Sequence, residues 1–583
     1  MATKQSAPRS IKKRLTVCCD GTWQNSDRGY SKPTLWNPVG KLQTPSNVTR
    51  LSRSLRRICT DGTVQIIEYQ SGVGTGGSMM DIVSGGAFGL GISENIRSAY
   101  AFICANYCDG DEIILVGFSR QVGAFTARSI AGMIANLGLL TRAGMEFFYP
   151  IFKDTQNWRT LDYEDPFPGT PFDSKPKGED AQPKYQQMLL ERGLTRVYVE
   201  GGKEVPIRVK AVAVWDTVGS LGIPNVTLLS KVGLHHSTRE YRFYDTDLSN
   251  RIEYAFQALA LDEHRLPFSP TVWERGASNR NSTKLRQVWF PGNHSNIGGG
   301  WQDACVANMS LAWMMDQLAS IGVEFDEATI ARIFTHLERY YREIADNKLN
   351  PPHTPPPITS DDPIASSEEA DNDTGAYCGL FDKVLPTMKQ WAVDPIYKNN
   401  DPVRPWALGA ILSSEGFMFK VSGYNLRTPG RYKKVDPDTG FPTRAFLEDT
   451  NERIHSSVRV RLALKGLGLN DKHAWTAPAL KGSWRLRKTT EGFTDAIPEF
   501  QTTWEHTGEA ASAAIARDTM GEGADSKRGY RWVWEYCGAE ADAPPQRLMV
   551  EEPLGPYERQ LLRLSGGRPN VYEFAGHFNM EDW

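Results

Sequence analysis

The sequence predicts an α/β fold, a mostly parallel sheet with helices on both faces. Two observations predict it. Strand-like and helix-like segments alternate through the first 340 residues, as expected for strands joined by crossover helices. Asp20, Ser71, Ser119, Asp216 and His294 each closely follow a strand-like run. In parallel sheets the chemistry sits beyond the carboxyl ends of the strands, so this punctuation joins the fold prediction to a site.

The elements follow in order. Positions 15–19 are a short apolar run ending in Asp20-Gly21-Thr22. Positions 47–58 have helical spacing, with Ser46 or Asn47 as the N-cap. A second strand, 64–69, runs into the glycine-rich stretch 72–77. A helix is expected over 93–107, a short buried strand over 112–116, and a helix over 123–136. Further strands are expected at 207–215 and 285–290, and helices at 304–318 and 327–344. Cys18 and Cys19, adjacent in a strand, are expected to face opposite sides of the sheet.

The 583 residues suit one heavily decorated domain or several. The boundaries expected are a disordered tail over 1–14, a catalytic domain over 15–345, a disordered linker over 346–375 and a C-terminal region over 376–583 packed on the catalytic domain. An irregular insertion spans 140–206 and carries Phe147, Phe148, Tyr149, Phe152 and Trp158. It reads equally as a lid over a cleft or as an excursion packed on the core. The linker is Pro-rich and then acidic. A late helix is expected over 558–564.

Hydrophobic content of 40% supports a sizeable core, and the net charge of −3 gives no field favouring nucleic acid. The eight cysteines include no CxxC pair, so zinc-ligand spacing is absent. Reduced, buried thiols fit a cytoplasmic chain. The polar, basic start lacks the apolar core of a secretory signal. No run approaches the ~18 apolar residues of a membrane helix, which leaves peripheral membrane contact as the expected kind.

Three segments carry the chemistry. Ile113-Ile114-Leu115-Val116-Gly117-Phe118-Ser119-Arg120 joins a buried strand to a helix, the setting of a nucleophile elbow. There the serine hydroxyl projects from the sheet edge, and the following amide, that of Arg120, can donate to an oxyanion. Asp216 ends the run Val212-Ala213-Val214-Trp215, the place of the acid in a Ser–Asp–His order. Its work would be to orient an imidazole and stabilise the imidazolium. His294 lies in a glycine-rich loop after a strand, the setting of the general base. Each residue also has an ordinary reading: a helix-capping serine, a turn aspartate, a loop histidine. The Gly21 and Thr22 loop offers the second oxyanion donor, with Asp20, Asp262 and His264 as support. His455 is a weaker rival base, and His336 is expected on a helix surface.

Other readings fail. A haloacid-type phosphatase needs an aspartate where Cys18 stands. The stretch 72–77 fits GxGxxG, but no clear helix or ribose-binding acid follows. No metal or organic cofactor is expected.

Leu15-Thr16-Val17-Cys18-Cys19-Asp20-Gly21-Thr22-Trp23, Gly72-Val73-Gly74-Thr75, Gly117-Phe118-Ser119-Arg120 with Gly123-Ala124-Phe125-Thr126-Ala127-Arg128, Val214-Trp215-Asp216-Thr217-Val218-Gly219 and Trp289-Phe290-Pro291-Gly292-Asn293-His294 occur in this order. Together they resemble the DUF2235 family, the catalytic domain shared by type VI secretion phospholipase effectors and many fungal proteins. The resemblance covers about residues 14–340. It implies an α/β-hydrolase-like fold, hydrolysis of lipid or other acyl esters, and the roles of nucleophile, acid and base for Ser119, Asp216 and His294. Asp262-Glu263-His264-Arg265 also looks like a family motif.

One departure matters. The family elbow runs Gly-Phe-Ser-Arg-Gly, whereas Gln121-Val122 stand here before Gly123. Two extra residues turn a helix start by roughly half a turn. Either the loop bulges and Ser119 still points outward, or the site is damaged. The chain therefore reads as a serine esterase or phospholipase, with a catalytically inert binding scaffold as the alternative. Oligomeric state is not legible in the residues.

Overall fold

The computed structural model describes residues 11–21, 30–31, 41–42, 44–72, 86–118, 123–158, 163–200, 203–218, 248–349, 403–412, 423–436, 442–489, 531–565 and 568–577. Its frame is a ten-stranded sheet. In chain order the strands are β1 (Lys13–Cys19), β2 (Val64–Gln70), β3 (Glu112–Phe118), β4 (Val209–Trp215), β5 (Ile252–Ala260), β6 (Lys284–Phe290), β7 (Glu452–His455), β8 (Trp484–Thr489), β9 (Arg531–Tyr536) and β10 (Leu548–Glu552). In space they run β2-β1-β3-β4-β5-β6-β7-β10-β9-β8. Pairing is parallel from β2 across to β10, and antiparallel only where β9 joins β10 and β8 joins β9. This is the α/β fold the sequence predicts.

The central strands are apolar almost throughout because both faces are covered. Alternate side chains enter different cores. Cys18, Ile114, Val116, Ala213 and Trp215 meet one cluster with helices α1 (Asn47–Ser54) and α7 (Cys305–Ala319). Leu15, Val17, Cys19, Ile113, Leu115 and Val214 meet the other, with α2 (Gly86–Asn106) and α3 (Ala124–Leu137). Cys18 and Cys19 thus face opposite sides, as strand geometry requires.

The described part of the insertion packs on the second face. Phe148 and Phe152 of α4 (Phe148–Asn157) and Tyr185 and Leu189 of α5 (Ala181–Glu191) are buried there. A third core, rich in tryptophan, joins Trp289 of β6 to Trp475, Trp484, Trp532 and Trp534. Described residues beyond 403 therefore share both the sheet and its core with the first half of the chain.

Some elements differ from expectation. The first helix stops at Ser54, because Leu55 turns extended, and Ser46 is its cap, accepting from the Thr49 N–H. The second begins at Gly86 rather than 93. Strand β5 was not expected from its mixed Ala, Gln and Tyr sequence. The stretch that follows residue 451 forms β7 and then a helix, Ser456–Ala463. His336 is exposed, as expected.

Register aligns the strand ends next to the candidate residues. Cys19 pairs with Gly117, Phe118 with Trp215, Trp215 with Ala258, and Ala260 with Phe290. The ends of β1, β3, β4 and β6 consequently lie at one edge of the sheet. Among the described residues no helix is long and apolar enough to cross a membrane.

Candidate active site

Asp216 follows β4 with a positive φ of 40°. That conformation is uncommon for a residue with a side chain, and aspartate is among those that tolerate it. It turns the carboxylate along the sheet edge. Its Oδ2 meets Nδ1 of His294 at 2.7 Å. Its Oδ1 accepts from the Ala260 N–H at 3.0 Å. Arg427 grips both oxygens, Nη1 to Oδ1 at 2.9 Å and Nη2 to Oδ2 at 3.0 Å. Burial pushes the Asp216 carboxyl up, but the Arg427 charge and the His294 and Arg427 hydrogen bonds outweigh it and hold it well below the usual carboxylate range.

His294 opens a short helix, α6 (His294–Gly298), behind a capping box formed by Asn293 and Asn296. Its ring lies between two phenyl rings, with centroids 4.8 Å from Phe118 and 5.1 Å from Phe268. Its Nε2 is buried and has no hydrogen-bond partner among the described residues. An imidazole tied at Nδ1 to a carboxylate and open at Nε2 is the arrangement a general base needs.

The loop that carries His294 is pinned from Asp262. Its Oδ2 accepts from the Gly292 N–H at 2.7 Å and its Oδ1 from Trp475 Nε1 at 2.8 Å. Gly292 has φ 106°, and an added Cβ would lie 2.7 Å from that of Asn296, so glycine is required there. Glu263 accepts weakly from the His294 N–H at 3.3 Å and pairs with Arg265. His264 stands apart from the Asp216–His294 pair. Its half-buried ring stacks on Tyr424 at 5.0 Å, and burial lowers its pKa.

Asp20 is buried and fully bonded. It accepts from Ser46 Oγ at 2.6 Å, Thr49 Oγ1 at 2.7 Å, Tyr69 OH at 2.6 Å and the Gly21 N–H at 2.7 Å. It shapes the loop after β1 and fastens it to α1. The Gly21 N–H, expected to face an oxyanion, donates to Asp20 Oδ1 in this structure. Thr22, Ser119, Arg120, Gln121 and Val122 lie outside the described residues.

What flanks the elbow is informative. A Cβ on Gly117 would lie 2.5 Å from the Gly123 carbonyl oxygen and 2.7 Å from Ala124 Cα. One on Gly123 would lie 2.1 Å from the Phe118 carbonyl oxygen and 2.4 Å from that of Cys19. Only glycine fits at either place. Strand and helix make their close approach through Gly123. Gly298 is needed equally, since a Cβ there would lie 1.8 Å from the Phe118 ring.

Sequence reasoning missed Arg427. No motif marks it, and its partner stands 211 positions earlier. The rival His455 is fully buried, between Ser457 Oγ at 2.7 Å and Glu558 Oε1 at 2.6 Å. That trio resembles a catalytic set in its contacts but is closed to substrate, with Ser457 at 0% and Glu558 at 1% exposure.

The uncharacterized protein YEL023C of Saccharomyces cerevisiae is 26% identical over 276 residues, 45% of this chain and 33% of that protein. The match thus spans about a third of that relative's length. Residues 13–317, more than half of the chain, match the family model described as type VI secretion system phospholipase effector Tle1-like, catalytic domain. The strand order, the strand-end residues and this match lead to one conclusion: the chain belongs to the Tle1-like phospholipase effector catalytic-domain family.

Proposed function

We propose that the protein is a serine hydrolase of carboxylic esters, acting on acyl lipids. Ser119 Oγ attacks the ester carbonyl while His294 Nε2 takes its proton. The proton passes to the leaving alcohol, and water, activated by the same imidazole, then releases the acid from Ser119. Asp216 holds the tautomer with Nδ1 protonated. The N–H groups of Arg120 and Thr22 stabilise the oxyanion. This chemistry calls on no metal or organic cofactor. In this reading residues 15–345 carry the catalytic residues, and the described strands beyond residue 403 complete the same sheet.

One observation carries the proposal. The imidazole bonded to Asp216 also packs against Phe118, the residue immediately before Ser119. Ser119 follows Phe118 directly in the sequence, which supports pairing it with this imidazole. The family's description as a phospholipase effector supports a lipid ester as substrate. The close approach of Gly117 to Gly123 favours a tolerated insertion over an inert scaffold.

A panel of p-nitrophenyl esters and phospholipids, with Ser119→Ala as control, tests the substrate class. Hydrolysis that rises with acyl-chain length and disappears in the variant supports the proposal. Ester hydrolysis equal in both proteins would refute it.

A further inference from the structure

The family match ends at residue 317, yet the acid of the proposed triad is held by a side chain more than a hundred positions further on. Arg427 belongs to a strap, 423–432, laid across the site. At its start the Gly423 carbonyl accepts from the Leu266 N–H at 3.1 Å, and the Asn425 N–H donates to the His264 carbonyl at 2.8 Å. At its end the Gly430 N–H donates to Glu452 of β7 at 2.8 Å, and Trp484 Nε1 donates to the Pro429 carbonyl at 3.1 Å. Between these anchors the Arg427 side chain, 2% exposed, reaches Asp216 with both terminal nitrogens. One of them also donates to the Phe268 carbonyl at 2.8 Å. Phe268 is one of the two rings that flank His294.

We propose that Arg427 is a positioning residue for the Asp216–His294 pair, and that the C-terminal region thereby completes the active site. The proposal rests on the serine-hydrolase reading above. A planar fork bonded to both oxygens fixes the plane of the carboxylate, which a point charge would not do. Each oxygen then has two donors, and the lone pair that faces Nδ1 keeps its direction. A second consequence is electrical. Asp216 is fully buried, and burial alone favours its neutral form. A neutral acid would not stabilise an imidazolium. The charged groups around it are His294, Arg427 and, behind them, the Glu263–Arg265 pair, with the Tyr432 hydroxyl near Arg427. Arg427 is the fixed cation in direct contact with Asp216. Removing it hands control of Asp216 to burial, and its ionisation moves up in pH.

The test compares wild type, Arg427→Met, Arg427→Lys and Ser119→Ala in the full chain. The readouts are kcat and KM on p-nitrophenyl butyrate and the rate of fluorophosphonate labelling from pH 4 to 9. Circular dichroism and thermal melting establish folding. Arg427→Met is expected to lower kcat about 10- to 100-fold with KM within about twofold, and to move the acid limb upward by about one pH unit or more. Arg427→Lys keeps the charge but not the fork. It is expected to hold the acid limb in place and recover only part of kcat. A folded Arg427→Met with wild-type kcat and acid limb would overturn the proposal. If Arg427→Met does not fold, Arg427→Lys decides: full kcat overturns the fork, and reduced kcat at unchanged KM supports it. Hydrolysis retained in Ser119→Ala would instead sink the serine-hydrolase reading itself, whereas an inactive Ser119→Ala beside a normal Arg427→Met sinks only the role of Arg427.

Discussion

The ring centroid of Phe118 lies 4.8 Å from that of His294, so the last residue of β3 packs directly against the proposed base. Gly298, one turn beyond His294, has no room for a Cβ against the same phenyl ring. Strand end and imidazole are therefore built as one packed unit.

Asp216 is the acid of the proposed triad. Asp216→Asn is expected to lower kcat by about 10²–10⁴-fold, because an amide no longer holds the productive tautomer or offsets the imidazolium. It also leaves Arg427 buried without its counter-charge, at about 3–5 kcal/mol of stability. The pH dependence has a definite sign. The Asp216 carboxyl sits below its usual value, so its contribution is fully present above the unfolded-chain value near ~3.9 and is lost as pH falls through the folded one. Wild type is expected to lose stability on acidification below about pH 4 more steeply than Asp216→Asn. Denaturant melts at pH 3 to 7 measure both slopes.

The two-residue interruption of the elbow is expected to be tolerated. Deleting Gln121 and Val122 joins Arg120 directly to Gly123, which already packs on Gly117. The shortened protein should fold and hydrolyse esters at least as fast as the parent. Gly123→Ala, in contrast, drives a methyl into two carbonyl oxygens and should cost about 3 kcal/mol or more. Loss of folding on deletion, with Gly123→Ala neutral, contradicts the packing described.

The second Ser–His–carboxylate trio should prove purely structural. Ser457→Ala removes one buried hydrogen bond to His455 and should cost about 1 kcal/mol. Ester hydrolysis should stay within about twofold of wild type, after allowing for that loss. A collapse of activity in a stably folded Ser457→Ala would point to the wrong serine.

How much of this was legible follows from what local sequence encodes. Strands 112–118, 209–215 and 284–290 announce themselves as short apolar runs between turn signals, and the residues closing them mark Ser119, Asp216 and His294. Ile252–Ala260 was not legible because its alanines and glutamine suit a helix as well. Burial between two parallel neighbours decides it. The C-terminal strands escaped for a related reason: β7, β8, β9 and β10 pair at an edge formed by distant residues. Gly21 looked like an oxyanion donor until its N–H proved to belong to Asp20. Arg427 sits between Tyr424 and Pro429-Gly430, where local pattern reads only a turn. Its meaning comes entirely from a contact across 211 positions.

Covalent capture by a fluorophosphonate probe is the most direct measurement of the chemistry proposed. Folded protein at neutral pH should take up one probe per chain, with peptide mapping placing it on Ser119 and no uptake by Ser119→Ala or His294→Ala. Absence of labelling in folded wild type, or labelling that survives Ser119→Ala, would contradict the assignment of nucleophile and base.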